Sequence, residues 1–130
     1  MISFYLDKGS GLPTYVQLVQ QVKQALRLGL LRTGDQLPTA SEVVDQLAIN
    51  PNTVLKAYRE LDREGLVVAR PGQGTFVAQT LGDAPATAYR ALRRDLTRCV
   101  RTAHAAGLDV EDIRAVFTAV MHETSRGQVA

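Results

Sequence analysis

Asn52, Lys56, Arg59 and Arg63 recur at spacings of four, three and four. On a helix, that spacing gathers them on one face. Their shared chemistry is hydrogen-bond donation from long or forked side chains, and Thr53 lies near the same end. A helix offered to the DNA major groove needs such a face, free of bulky apolar groups. The first turn of the helix adds free amides that suit a phosphate. Asn52 and Thr53 fall where base edges would be touched. Lys56 and Arg59, one turn on, are placed for bases or backbone. Taken alone, the stripe reads equally as a solvated face, with Lys56 and Glu60 as an i,i+4 pair worth roughly a few tenths of a kcal/mol. A second feature shifts the balance. Arg70 flanks a tip made of Gly72, Gln73 and Gly74. Without bulky side chains, that backbone can approach a duplex closely.

The elements needed to hold these residues are readable around them. Ile2 to Leu6 has extended character, and a loop follows through Gly11. Pro13 opens a helix with Leu18, Val19, Val22, Ala25 and Leu26 on one side and Gln17, Gln20, Lys23 and Arg27 on the other. Arg32-Thr33-Gly34-Asp35 reads as a turn. Thr39-Ala40-Ser41-Glu42 has the form of a capping box, opening a short helix that buries Val43, Val44 and Leu47. After the turn Ala48-Ile49-Asn50, Asn50 caps a third helix with Pro51 in its first position. That helix buries Val54, Ala57, Tyr58 and Leu61. Two β-prone runs, Leu66–Arg70 and Thr75–Ala78, flank the glycine turn as a hairpin. Gly82 to Pro85 reads as a linker. Two more helices follow, broken at Ala106-Gly107, the second starting at Asp109.

The expected fold is mostly α with a small β-hairpin wing. A winged helix-turn-helix over residues 1–80 precedes a two-helix dimerisation hairpin over 81–130. Leu92, Leu96, Val100, Ile113, Val116, Phe117 and Val120 make one apolar side on that hairpin. They could complete a monomer core. A winged domain closes on itself, however, and so thin a hairpin hides its apolar side most simply against a second copy. Arg90, Arg93, Arg94, Arg98 and Arg101 read as a solvated face, with flanking DNA as the sharper alternative.

The chain has 130 residues, of which 45% are hydrophobic, and that proportion argues against disorder. Its net charge of +2 says little about nucleic acid, because clustering matters more than the sum. No apolar run reaches the roughly 20 residues of a membrane span. Met1 to Lys8 shows no signal-peptide pattern, and a cytoplasmic setting is expected. The single cysteine, Cys99, fits as a small apolar filler, with a redox sensor as the alternative. His104 and His122 stand far apart, so no metal site, cofactor or catalytic residue is expected. The expected partners are double-stranded DNA and a second copy of the chain. The tail leaves room for an unidentified small-molecule effector, and no membrane is involved.

Leu12 to Ala78 resembles the GntR family of regulators. The resemblance is carried by Gly34-Asp35-Gln36-Leu37-Pro38, Asn50-Pro51-Asn52-Thr53-Val54, Ala57-Tyr58-Arg59-Glu60-Leu61, Glu64-Gly65-Leu66 and Gly72-Gln73-Gly74-Thr75-Phe76-Val77. With its short tail, the chain looks like the YtrA subfamily, whose members dimerise through two helices. The resemblance implies a homodimeric, sequence-specific transcriptional repressor on an inverted-repeat operator, with transporter genes as targets. It implies DNA contacts from Thr39, Ser41, Asn52, Thr53, Lys56, Arg59, Arg70, Gly72, Gln73 and Gly74. Two departures bear on this. The family usually carries arginine where this chain has Ser41, and many relatives carry one at the position of Pro51. Affinity per half-site would fall, or the contacts would shift to Lys56, Arg59 and Arg70. The competing reading is a winged-helix module that binds another protein instead of DNA, which should show apolar groups on the exposed helix face.

Overall fold

Pro13 fixes the backbone just ahead of a run of helically spaced apolar residues. In the computed structural model, which describes residues 2–129, it caps helix α1 (Thr14–Arg27) rather than taking the first helical position. Helix α2 covers Ala40–Leu47 and α3 covers Pro51–Arg63. The capping box forms. The Thr39 hydroxyl oxygen accepts from the Glu42 amide at 3.1 Å, and the Glu42 carboxylate accepts from the Thr39 amide at 3.5 Å. Helix α2 stops at Ala48, which adopts a left-handed conformation with φ of 55°. The chain then restarts at Asn50, whose Oδ1 accepts from the Asn52 amide at 2.8 Å.

Val54, Ala57, Tyr58 and Leu61 form the buried stripe of α3, which packs on α1, α2 and the first wing strand. Leu18, Val22, Leu26 and Leu31 belong to the same core, with Val43 of α2 and Val77 of the wing. Each such side chain contributes roughly 1.5–3 kcal/mol on burial. The Tyr58 hydroxyl lies in this core and donates to the Pro38 carbonyl at 2.6 Å. Burial, and secondarily the charge of Glu42, raises its pKa, so it stays a donor and ties α3 to the start of α2.

The extended leader is held by two glutamines. Gln17 does not face solvent with Gln20, as the helical pattern alone suggested; it is buried. Its Oε1 accepts from the Asp7 amide at 2.8 Å, and its Nε2 donates to the carbonyls of Asp7 at 3.1 Å and Leu12 at 3.0 Å. One turn later Gln21 accepts from the Tyr5 amide and donates to the Tyr5 carbonyl. The leader needs partners for its backbone, and these amides supply both a donor and an acceptor. Phe4 is thereby fixed in the core.

The wing is an antiparallel pair, β1 (Val67–Arg70) and β2 (Gly74–Val77), in register Val67 with Val77 and Arg70 with Gly74. It has a third edge. The Gly34 amide donates to the Val77 carbonyl at 2.9 Å, the Val77 amide to the Asp35 carbonyl at 2.8 Å, and the Leu37 amide to the Thr75 carbonyl at 2.8 Å. The segment expected only as a turn therefore pairs with β2, leaving β2 central.

A first unit ends at Ala86 and a second begins at Thr87. The second holds α4 (Ala86–Ala105) and α5 (Val110–Val129). Gly107, with φ of 92°, turns the chain, and the Leu108 amide donates back to the Ala103 carbonyl at 3.0 Å. Asp109 caps α5 reciprocally with Asp112, each side chain accepting from the other's amide. None of the residues of α4 is buried.

Candidate nucleic-acid interface

Three elements converge on the short stretch Gln36–Thr39. Gln36 and Leu37 join the wing, the Pro38 carbonyl accepts from Tyr58 of α3, and Thr39 opens α2. The wing tip is fastened here as well. Gln36 Nε2 donates to the Gln73 carbonyl at 3.1 Å, and the Gln73 amide closes the turn onto the Arg70 carbonyl at 2.9 Å. Gly74, with φ of 132°, lies directly against the Gln36 side-chain amide, where a Cβ would collide with it. Gly72, with φ of 76°, has open space around its α carbon. The tip is thus a bare backbone turn on a fixed base.

The sequence-predicted donors fall into two groups. Asn52 and Arg59 are exposed, and neither side chain has a polar partner among the described residues, apart from the capping contact to the Asn52 backbone. Thr53 is half-buried and Ser41 is exposed on the first turn of α2. Thr39 spends its hydroxyl on the cap, accepting from the Glu42 amide and donating to its carboxylate. Lys56 turns back to α1, with Nζ 4.0 Å from the centre of the Tyr15 ring. It makes no pair with Glu60, which is bonded instead by Arg63; this bond lowers the Glu60 pKa and raises that of Arg63. Arg70 lies over the Phe76 ring at 4.7 Å, its guanidinium stacked yet exposed. The outward surface of α3 is consequently narrower in charge than the spacing suggested. It is also not free of apolar bulk, because Leu55 is 42% exposed there. Leu55 follows the helical periodicity of the same surface and was legible from its position three residues after Asn52.

The second unit shows another face. Leu92 is 57% exposed and Phe117 50%, and Leu96, Val100, Val116 and Val120 are exposed as well. Ile113 is half-buried. All of these but Leu92 line, with Cys99, His104 and Arg114, a concave, largely apolar surface of about 580 Å³ between α4 and α5. On α4 the five arginines gather along Thr97, and among the described residues only Arg94 of these has a carboxylate near, Asp95 at 3.5 Å. Among the described residues no cluster suits a metal ion, and no helix is long and apolar enough to cross a membrane.

A helix-turn-helix with an exposed polar face on its second helix, braced by a β-hairpin wing, defines a winged helix-turn-helix regulator. The gntR family of bacterial regulatory proteins matches residues 14–77. Along 95% of both chains, the protein is 32% identical to the HTH-type transcriptional repressor YtrA of Bacillus subtilis. The chain therefore belongs to the GntR family, whose members are transcription regulators and not enzymes. Among solved structures it resembles YtrA from Sulfolobus acidocaldarius, with 26% identity, a TM-score of 0.53, and coverage of 94% of this chain and 99% of that one. It also resembles the DNA-binding domain of AraR, solved in complex with operator ORX1, at 28% identity and a TM-score of 0.50, covering 60% of this chain and 93% of that domain.

Proposed function

We propose that the chain is a homodimeric repressor that reads an inverted-repeat operator, with residues 1–80 binding DNA and residues 81–130 pairing two copies. The observation that carries the DNA-binding part is the outward surface of α3, where Asn52 and Arg59 stand exposed and uncommitted, in the same unit as a bare glycine wing tip. Asn52 has the amide geometry for adenine, and arginine that for guanine. Thr53 lies beside Asn52 on the first turn. Arg70, Gln73 and the backbone of Gly72 and Gly74 face the sugar-phosphate edge. Lys56, drawn to Tyr15, adds positive potential more than a base contact. Ser41 and Thr39 place short hydroxyls at the start of α2, near a phosphate.

Pairing is supported by the exposed apolar residues of α4 and α5. Covering that concave surface with a second copy brings two recognition helices into one symmetric particle. The repressor role rests on the likeness to the Bacillus subtilis YtrA repressor, and transporter genes as targets are what the subfamily resemblance implies. Selection from a randomised duplex pool with the full chain tests the reading. An enriched palindrome is expected. Failure to enrich any sequence overturns it.

A further inference from the structure

Leu55 is an apolar side chain on a surface otherwise built for polar contacts. At about 100° per residue it falls about 60° from Asn52 and about 40° from Arg59, on the flank of the exposed side of α3 and about 60° from the buried Tyr58. Val54, Ala57, Tyr58 and Leu61 form the buried stripe, and Leu55 is neither in that core nor among the partly buried residues packed against it. A single exposed leucine is ordinary on a protein surface. This one lies beside Arg59, at the edge of the exposed face and one turn along from Asn52, on the helix that would enter the groove. Lys56 next to it has turned away to Tyr15. The uncommitted part of the presented surface is therefore Asn52 and Arg59, with the branched hydrocarbon of Leu55 on the flank next to Arg59.

The major groove offers one apolar feature, the C5 methyl group of thymine. Resting on the DNA-binding reading above, we infer that Leu55 is a specificity-determining residue that selects thymine in each half-site by covering this methyl group. Cytosine presents an amino group and a bare C5 edge at the same place. A leucine over the amino group would strip its water and return no hydrogen bond. Leu55 thus favours thymine by attraction and disfavours cytosine by desolvation.

The test uses the full-length chain and the duplex it enriches from a random pool. Replacing the enriched thymine by deoxyuridine removes only the methyl group and keeps every hydrogen bond. The wild-type protein should lose about fourfold in affinity per half-site, about 15-fold when both half-sites are replaced. The variant Leu55→Ala should bind the thymine and deoxyuridine duplexes within twofold of each other. Its own selection should relax at that position and keep the rest of the palindrome. Because Leu55 is exposed, an unchanged melting temperature is expected for the variant. Equal losses for both proteins, no loss for wild type, or a selected half-site without thymine overturns the inference while leaving DNA binding intact. If no sequence is enriched at all, the DNA-binding reading fails and this inference fails with it.

Discussion

Ala48 carries the one left-handed backbone conformation at a non-glycine residue among the described positions. Its Cβ crowds the following carbonyl there, a strain of roughly 1–2 kcal/mol. Glycine relieves this strain but is freer in the unfolded chain, so Ala48→Gly should raise stability by a net of about 0.5–1 kcal/mol. Denaturant titration would show a higher midpoint at constant slope; a lower midpoint would mean that the turn relaxes in solution. The residues proposed to face DNA separate by the same local reasoning. Asn52 is uncommitted and offers two hydrogen-bonding edges, so Asn52→Ala should relax base preference at one half-site position. Arg70 is held on Phe76 beside the wing tip, where an interaction with phosphate carries no sequence information. Arg70→Ala should weaken binding to every sequence and reduce the salt slope by about 0.9 for each phosphate that Arg70 neutralises. A changed base preference in Arg70→Ala with an unchanged one in Asn52→Ala would reverse these roles. At Ser41 a longer charged donor is missing. Ser41 is exposed, so Ser41→Arg should keep the melting temperature, tighten operator binding at low salt and steepen the salt dependence.

At the scale of elements, the wing depends on pairing that no local pattern announces. The capping box at Thr39 and the Asn50-Pro51 start of α3 were readable because their chemistry lies within four residues. The buried stripe of α3 was readable because its period is helical. The Gly34–Leu37 edge was not, because its partners lie some forty residues away on β2, and its sequence looks like a turn. Gln17 was misplaced for a related reason. Periodicity sorts polar residues outward, but the leader's unsatisfied backbone gives a buried amide something to do. Leu55 and the turning of Lys56 toward Tyr15 escaped the reading of the site, because the spacing of cations drew the outline of the face and Tyr15 lies on another helix, α1. The third edge has a consequence that can be measured. Gly74 combines a φ of 132° with direct contact to the Gln36 side chain. Gly74→Ala should displace Gln36 from the Gln73 carbonyl, loosen the tip and destabilise the first unit by roughly 1–3 kcal/mol. Gly72→Ala has space but a positive φ, so its effect on stability should be smaller. Hydrogen exchange at the Gln73 amide would distinguish the two. Equal protection in both variants would mean that Gln36 does not hold the tip.

The whole molecule presents two surfaces of opposite character, one in each unit. The first unit closes its core and leaves a polar face on α3. The second leaves leucines, valines and a phenylalanine in the open, and α4 buries none of its residues. Two lone helices in water keep such a face uncovered only at a large hydrophobic cost, because each exposed aliphatic or aromatic side chain gives up roughly 1.5–3 kcal/mol of burial. A second copy offers the same face by symmetry, and a twofold axis satisfies both at once. The arginines of α4 do not line this apolar surface, although Arg114 of α5 does. Such a dimer would double the DNA surface, with recognition helices expected about one helical turn, roughly 34–36 Å, or a multiple of it apart. Light scattering should give a dimer for the full chain at micromolar concentration and a monomer for residues 1–80. Placing a charge at the centre of the face, as in Phe117→Glu, would bury two carboxylates in a closed dimer, and the cost of desolvating them should shift the full chain to monomer even with Arg114 one turn away. The first unit contains no part of that face, so the variant should still bind a single half-site with the affinity of one wild-type unit. Its affinity for the intact palindrome should fall by about 10²-fold or more, because the two half-sites are then bound independently. A full-length wild-type chain that scatters as a monomer, or a Phe117→Glu variant that remains dimeric, would place the pairing surface elsewhere.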